Sequence, residues 1–430
     1  MIKRKFFGIN NNLETLHTEI SFLGIKFKYY NKRLYQSINY EPVLEKVRLK
    51  FKNQEKIKVA FLVSEHQKWN ADELYSLLVE NPLFEPVVLV TLLNCVHKGM
   101  DKTRNNLSKS YEFFKKRGMQ VFKAYDEDNK NYVDLESFDI DILFYQHPWD
   151  LPINYQVPHV SQFALTCYFS YGVSLFETGI DYSLFHENLF LYFVPNKVVK
   201  NTLKKYKLSA VDNMFEIGFP KLDVYKKIKE KSKKNVAKKT IIYAPHFAYA
   251  KDSVLKIGTF DKTGIPLLEF AQKHPEYNWV FRPHPQLLST LVQDKSYGVE
   301  FTKKYFSAWS DIGVFSHEGE CFDVFLNSNL LITDASSFLL EYLPSRQPII
   351  RLENNYSIKL SSFGKKVVDG SYRIKSFKKF EISFEKLMNG EDSLKNKRDC
   401  LIAELNLEDY NSSQKIVKIL ESKIKGEDNA

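Results

Sequence analysis

The chain has 430 residues, of which 44% are hydrophobic and 15% aromatic, too much apolar material for one ordinary core and enough for two of about 200 residues each. Its formal net charge of +10 suits anionic partners such as nucleotides, phosphorylated polymers, acidic lipid surfaces or nucleic acid, without choosing among them. Cys95, Cys167, Cys321 and Cys400 are far apart with no CxxC spacing, which argues against a disulfide framework or a zinc site and for a reducing cytoplasm.

The N-terminus is basic, but Asn10 to Asn12 interrupt it before an apolar core develops, so no signal peptide is expected. Residues 1–54 mix aromatic and basic side chains and are read as an N-terminal extension. The β-branched run Ile57–Val63, ending in Ser64 and Glu65, predicts a buried parallel strand. A helical pattern over 69–80, a strand over 84–93, a helix over 107–117 and strands at 120–124, 140–145, 189–194 and 215–217 continue the alternation. That pattern predicts a doubly wound domain over 55–225. The lysine-rich stretch 226–239 reads as a helix end and linker. The alternation restarts with strands at 240–244, 279–281, 330–333 and 348–351, separated by helices near 265–274, 286–293 and 337–343. This predicts a second such domain over 240–373, with C-terminal helices over 374–430. The expected fold class is α/β and GT-B-like: two doubly wound, Rossmann-like domains facing a central cleft, where open sheets of this kind bind ligands. Dehydrogenases share the layout. No glycine-rich dinucleotide fingerprint follows the first strand, and no Walker A run, HExxH or GxSxG elbow is present.

Several strand ends carry chemistry. Thr333-Asp334-Ala335-Ser336-Ser337 opens an apolar helix, where free backbone N–H groups and hydroxyls suit phosphate oxygens. Asp and Ser there are equally the preferred ordinary caps. Glu341 follows four residues after Ser337 and could accept ribose hydroxyls. Arg282-Pro283-His284-Pro285 ends another strand, with prolines stiffening a loop whose guanidinium and imidazole suit a pyrophosphate leaving group. His246, in Tyr243-Ala244-Pro245-His246, ends a third. In the first domain His147, within Gln146-His147-Pro148-Trp149-Asp150, is the candidate base for an acceptor hydroxyl, with Tyr171, His159 and Glu65 as rivals. The lysine clusters at 197–207 and 226–239 could meet anionic lipid or an anionic polymer, although such runs are commonly solvated surface. They lack the aromatic interleaving of a single-strand nucleic-acid groove, so no nucleic-acid partner is expected.

Taken in order, Tyr243-Ala244-Pro245, Arg282-Pro283-His284-Pro285, Thr333–Ser337 with Glu341, and Gly218-Phe219-Pro220-Lys221-Leu222-Asp223 resemble the CDP-glycerol glycerophosphotransferase family of teichoic-acid and capsule synthesis, over about residues 140–352. The resemblance implies a GT-B fold and a CDP-activated polyol donor such as CDP-glycerol. It implies transfer of polyol phosphate to a hydroxyl of a glycan or lipid-linked acceptor, with release of CMP. It implies work at the cytoplasmic face of the membrane. The apolar stretches are too short to span a bilayer, so any membrane contact is expected to be peripheral, and helix dipole and cations can take a metal's electrostatic role, so no metal or cofactor is expected. The resemblance gives His284 the role of the donor histidine and makes Thr333, Asp334, Ser336 and Ser337 the phosphate cradle, with Arg282 and His246 beside them. The chain departs from the family in three places: its Trp-His-Gly is Ser170-Tyr171-Gly172 here, its Ala-Pro-Thr ends in His246, and its Asp-Tyr-Ser-Ser has Ala335. A glycosyltransferase using a nucleotide sugar is the alternative reading, and a non-catalytic polyanion-binding protein a third.

Overall fold

The computed structural model describes residues 7–12, 17–22, 25–30, 35–94, 100–172, 175–176, 183–208, 212–231, 238–249, 256–315, 322–355 and 358–427. The chain divides into two compact units. Unit 1 comprises residues 1–171, 182–216 and 414–430, and unit 2 residues 172–181 and 217–413.

Unit 1 opens with an antiparallel meander, β1 (Phe7–Asn12), β2 (His17–Phe22) and β3 (Ile25–Tyr30). The helix Glu41–Lys52 follows and buries Val43, Leu44 and Val47. The stretch expected only as an extension therefore holds regular structure, and the alternation in Ile25–Tyr30 is its sequence signal. The main sheet takes β4 (Ile57–Val63), β5 (Phe84–Val90), β6 (Val121–Lys123), β9 (Ile142–Tyr145), β10 (Leu165–Phe169), β11 (Leu191–Val194) and β12 (Met214–Glu216). A small hairpin of β7 (Tyr125–Asp126) and β8 (Asn131–Tyr132) lies between β6 and β9 in the chain. The strand order is β12-β11-β10-β9-β4-β5-β6, with every pairing parallel. Strands β9, β10 and β11 are buried along their whole length, which is why they read as unbroken apolar runs. Pro86 is tolerated inside β5 because β6 pairs only with Val88–Val90, so at Pro86 the strand is still an edge. The last helix, Ser412–Lys425, buries Ile416, Leu420 and Ile424.

Unit 2 is built on β13 (Thr240–Ala244), β14 (Asn278–Phe281), β15 (Gly313–Phe315), β16 (Leu330–Thr333), β17 (Ile349–Leu352) and β18 (Tyr372–Ile374). The order is β15-β14-β13-β16-β17-β18, again all parallel. Its core is aromatic: Phe281 stacks on Trp309 with centroids 4.7 Å apart, and Phe384 on Trp279 at 5.9 Å. Trp309 and Tyr305 come from the helix Gly298–Ile312, which sequence periodicity did not reveal. The helix Val224–Lys231 fills the start of the lysine-rich stretch and belongs to unit 2, and residues 232–237 lie outside the described residues. Among the described residues no helix is long and apolar enough to cross a membrane.

The backbone is tightest at Gly364, where a Cβ would lie 1.8 Å from the Leu175 carbonyl oxygen. Gly364→Ala is expected to lower the melting temperature of unit 2 by about 3–10 °C, since forcing a methyl into packed backbone costs about 1–3 kcal/mol. A scanning-calorimetry trace matching wild type would overturn that placement.

Candidate functional site

In each sheet the chain reverses its direction of travel at one point, between β4 and β9 in unit 1 and between β13 and β16 in unit 2. Loops leaving the carboxyl ends of such neighbouring strands diverge and leave a crevice, where open α/β sheets hold ligands.

In unit 2 the loops after β13, β14 and β16 bring Pro245-His246, Arg282-Pro283-His284 and Asp334–Ser337 to this edge. The Arg282 N–H donates to the Tyr243 carbonyl at 2.8 Å and the His284 N–H to that of Pro245 at 2.9 Å. These bonds prolong the β13–β14 ladder into the loops. The His246 and His284 rings lie with centroids 4.7 Å apart, and Phe247 lies 4.5 Å from each. His246 Nδ1 accepts from the Ala248 N–H and His284 Nδ1 from the Gln286 N–H, both at 3.1 Å. A ring nitrogen that accepts carries no proton, so the neutral ring holds its proton on Nε2. Burial depresses the His246 pKa to about 3, helped by the neighbouring His284, and burial likewise lowers that of His284 to about 4. Near neutral pH the site therefore offers two uncharged imidazoles as Nε2–H donors. Among the described residues neither Nε2 has a hydrogen-bond partner.

Thr333 and Asp334 lie beneath this surface rather than in it. Asp334 Oδ1 accepts from the His246 N–H at 2.6 Å, and Oδ2 accepts from the Thr259 N–H at 2.6 Å and the Thr259 hydroxyl at 2.8 Å. Thr333 Oγ1 donates to the Ala244 carbonyl at 2.7 Å and accepts from the Ala335 N–H at 3.0 Å. Both side chains are buried. Their part in the cradle is thus to position its loops: the Thr333 hydroxyl proton is given to the Ala244 carbonyl, and the Asp334 carboxylate, an acceptor, is occupied by the His246 and Thr259 donors. Burial raises the Asp334 pKa to about 6 despite three hydrogen bonds to the carboxylate.

The helix Ser336–Tyr342 begins with Ala335 at its cap position and no side-chain cap. The ordinary capping role open to Asp334 or Ser336 is therefore not taken. Ser336 and Ser337 are half-buried in the first turn, where backbone N–H groups lack intrahelical acceptors. On the same helix Glu341 is buried, its Oε1 paired with Lys221 Nζ at 2.7 Å. Its Oε2 is buried with no hydrogen-bond partner among the described residues. Lys221 comes from the Gly218–Asp223 segment, whose other residues brace the backbone. Gly218 has φ +100°, and a Cβ there would meet Ser412 Oγ at 2.6 Å. The Asp223 carboxylate accepts from the N–H groups of Ser412 and Ser413 at 3.0 and 2.7 Å.

In unit 1, Gln146 and His147 follow β9 and Ser64 and Glu65 follow β4. Gln146 Oε1 accepts from the N–H groups of Ser64 and Glu65, both at 3.1 Å, and its Nε2 donates to the Glu65 carbonyl at 2.9 Å. His147 is 2% exposed. Its Nδ1 donates to the Trp149 carbonyl at 3.2 Å, which leaves Nε2 to accept the Ser64 hydroxyl at 2.6 Å. Burial, with Lys68 nearby, depresses its pKa to about 4. Both ring nitrogens are engaged, so His147 is not poised to take a proton from an external hydroxyl; it acts as a brace. Glu65 pairs with Lys68 at 2.7 Å, and the Lys68 ammonium lies 5.4 Å from the centroid of Tyr171. Tyr171 is thus brought to the same cluster, whereas His159 is exposed on the short helix Val157–Val160 and packs on Phe163. Sequence reasoning passed over Ser64, Gln146, Lys68 and Thr259. For the first two the signal was present, as polar residues directly following two buried strands. Among the described residues no group of three or more His, Cys, Asp or Glu side chains is arranged to hold a metal ion.

No curated protein matches the sequence significantly. Among solved structures, the UDP-GlcNAc 2-epimerase of Neisseria meningitidis bound to UDP-GlcNAc aligns with a TM-score of 0.57 at 14% identity, over 85% of this chain and 100% of that one. A variant of the wall teichoic acid polymerase TagF aligns with a TM-score of 0.54 at 14% identity, over 89% of this chain and 94% of that one. The same protein soaked with CDPG gives 0.53 at 14% identity, over 90% and 95%. At such identities these likenesses speak to the fold alone, and they agree with the expected GT-B-like α/β class. The family model for CDP-glycerol:poly(glycerophosphate) glycerophosphotransferases matches residues 183–421, more than half of the chain, and the chain therefore belongs to that transferase family.

Proposed function

We propose that unit 2 binds a CDP-activated polyol, CDP-glycerol in the first instance, and that the enzyme transfers its polyol phosphate to a hydroxyl of a teichoic-acid-like or glycan acceptor. The observation that carries this reading is the pair of neutral imidazoles held 4.7 Å apart beside the uncapped start of Ser336–Tyr342. Two Nε2–H donors, free helix N–H groups and the Ser336 and Ser337 hydroxyls make a preorganised anion site without burying a full positive charge. Arg282 adds a cation at the same loop. Glu341 Oε2 supplies an acceptor for a ribose hydroxyl of the nucleotide. In the transfer, the acceptor oxygen bonds to the β-phosphorus while the bond from that phosphorus to the bridging oxygen breaks, and CMP leaves with its electron pair. The acceptor's proton passes to a base. Tyr171, in the segment that comes nearest to the family's Trp-His-Gly, is the candidate for that role. The basic surface of residues 197–207 supports peripheral contact with an anionic membrane as part of the same reading.

His284→Ala is expected to reduce CMP release by about 100-fold or more, as loss of a preorganised donor does, with an unchanged circular dichroism spectrum. Near-wild-type turnover would remove His284 from the donor site.

The protonation states give a second expectation. Nitrogen NMR of the imidazoles should show His246 and His284 neutral with Nε2 protonated from pH 7 down to about 5, and CDP-glycerol should raise both pKa values, since a nearby anion favours the charged ring. Because the folded pKa of His284 is depressed, its contribution to stability is full above the unfolded value of about 6.5 and is lost as pH falls toward about 4. The melting-temperature gap between wild type and His284→Gln should therefore shift in favour of the variant between pH 7 and 4.5. A gap independent of pH would contradict the neutral assignment.

A further inference from the structure

Trp149 stands apart from the other tryptophans. Trp279 and Trp309 are buried and Trp69 is half-buried, whereas Trp149 is 41% exposed at the carboxyl edge of the unit 1 sheet. It is also held firmly. Its ring stacks on His147 with centroids 5.1 Å apart and planes 10° from parallel, and Tyr171 meets it edge-on at 6.2 Å. Its carbonyl is bound by His147 Nδ1 at 3.2 Å. The next residue, Asp150, has a φ of +55°, and its carbonyl accepts from the Asn94 N–H at 2.7 Å. An exposed indole on a braced, strained loop is a surface preorganised for a ring, because its conformational freedom is already lost before a ligand arrives.

The polar groups at its margin indicate which ring. Lys68 Nζ lies 5.9 Å from the Trp149 centroid and is ion-paired with Glu65 at 2.7 Å. The paired charges offset each other, so they do not favour an anion such as a free phosphate. An ammonium donor beside a carboxylate acceptor matches hydroxyl groups, each of which both donates and accepts. The C–H face of a sugar ring and its equatorial hydroxyls fit this combination of apolar plate and mixed polar rim.

We propose that Trp149 is the platform of a saccharide-binding site at the switch point of unit 1. A hexose-type ring lies against the exposed indole surface, the Glu65–Lys68 pair meets the ring hydroxyls, and His147 acts as a positioning residue that sets the indole plane. This deepens the proposed transfer by giving its acceptor a sugar ring, and it rests on that reading only for the acceptor role.

The test is isothermal titration calorimetry of the full chain with alkyl glycosides of hexoses and N-acetylhexosamines, with ring-free glycerol phosphate oligomers, and with CDP-glycerol. The glycosides should bind wild type saturably. Trp149→Ala should weaken their binding by about tenfold or more, and Trp149→Phe should keep it within about threefold. Both variants should bind CDP-glycerol as wild type does. The site is overturned if no glycoside in the panel binds wild type, if Trp149→Ala binds them equally well, or if ring-free oligomers compete as effectively as the glycosides. Saccharide binding without CDP-glycerol binding would instead defeat the proposed donor and leave this site standing.

Discussion

The buried carboxylate of Asp334 is the constraint on which the donor side depends. It sits at the end of β16 and holds backbone from two other segments, the His246 N–H after β13 and the Thr259 N–H and hydroxyl before the helix Phe260–Lys273. A carboxylate out of water is costly unless its lone pairs are filled. Here they are filled by groups that need fixing in place. Without it, the loop carrying His246 would keep its continuation of the β13–β14 ladder and the Gly258 N–H bond to the Ala248 carbonyl, but would lose the bond that fixes the His246 N–H to the end of β16.

The histidines at the two switch points, His147 in unit 1 and His246 and His284 in unit 2, take opposite tautomers, and the reason lies in the backbone. In unit 2 an amide N–H two residues onward points at Nδ1 of His246 and of His284, which forces the proton to Nε2. In unit 1 a carbonyl two residues onward faces Nδ1 of His147, which forces the proton there and makes Nε2 the acceptor. Burial keeps all three rings uncharged near neutral pH. The same side chain therefore donates outward where phosphate chemistry is expected, and is turned inward onto Ser64 where the structure needs a brace.

Much of this was legible in the sequence. Buried parallel strands such as Leu330–Thr333 read as short unbroken apolar runs bounded by turn residues, and the chemistry-bearing loops lie directly after them. The GT-B-like α/β class with two parallel sheets followed from that alternation, and the motif set located His246, His284 and Ser336 at one edge of the second sheet. Other features were hidden for physical reasons. The strand Leu165–Phe169 is only five residues long and follows the short helix Val157–Val160, so its apolar run merges into the aromatic residues around it. The helix Gly298–Ile312 buries Thr302, Tyr305 and Trp309, the last two against Phe260 and Phe281, a face too mixed in polarity to stand out as an apolar stripe. The roles of Thr333 and Asp334 were hidden differently. Their residue types suit both phosphate binding and backbone bracing, and only the direction of their hydrogen bonds separates the two.

That direction reveals a device common to both units. At a switch point the connections on either side travel away from each other, so no shared loop holds the two strand ends together. In unit 2 the gap is closed by Asp334, reaching from the end of β16 to backbone after β13. In unit 1 it is closed by Gln146, reaching from the end of β9 to the N–H groups of Ser64 and Glu65 after β4. Each latch uses a short polar side chain with more than one acceptor lone pair, fixed at the first position or two beyond a strand. A neutral amide suffices in unit 1. Unit 2 uses a carboxylate, whose charge-assisted bonds are stronger and whose pKa burial raises to about 6. Protonating Asp334 would place a hydrogen where one of its three donors now points, loosening the latch that holds His246. At the switch point the paired strands are held by their ladder, but no connecting loop ties the segments beyond their ends. For that reason the residues that hold it stand directly beneath those proposed to meet the ligand.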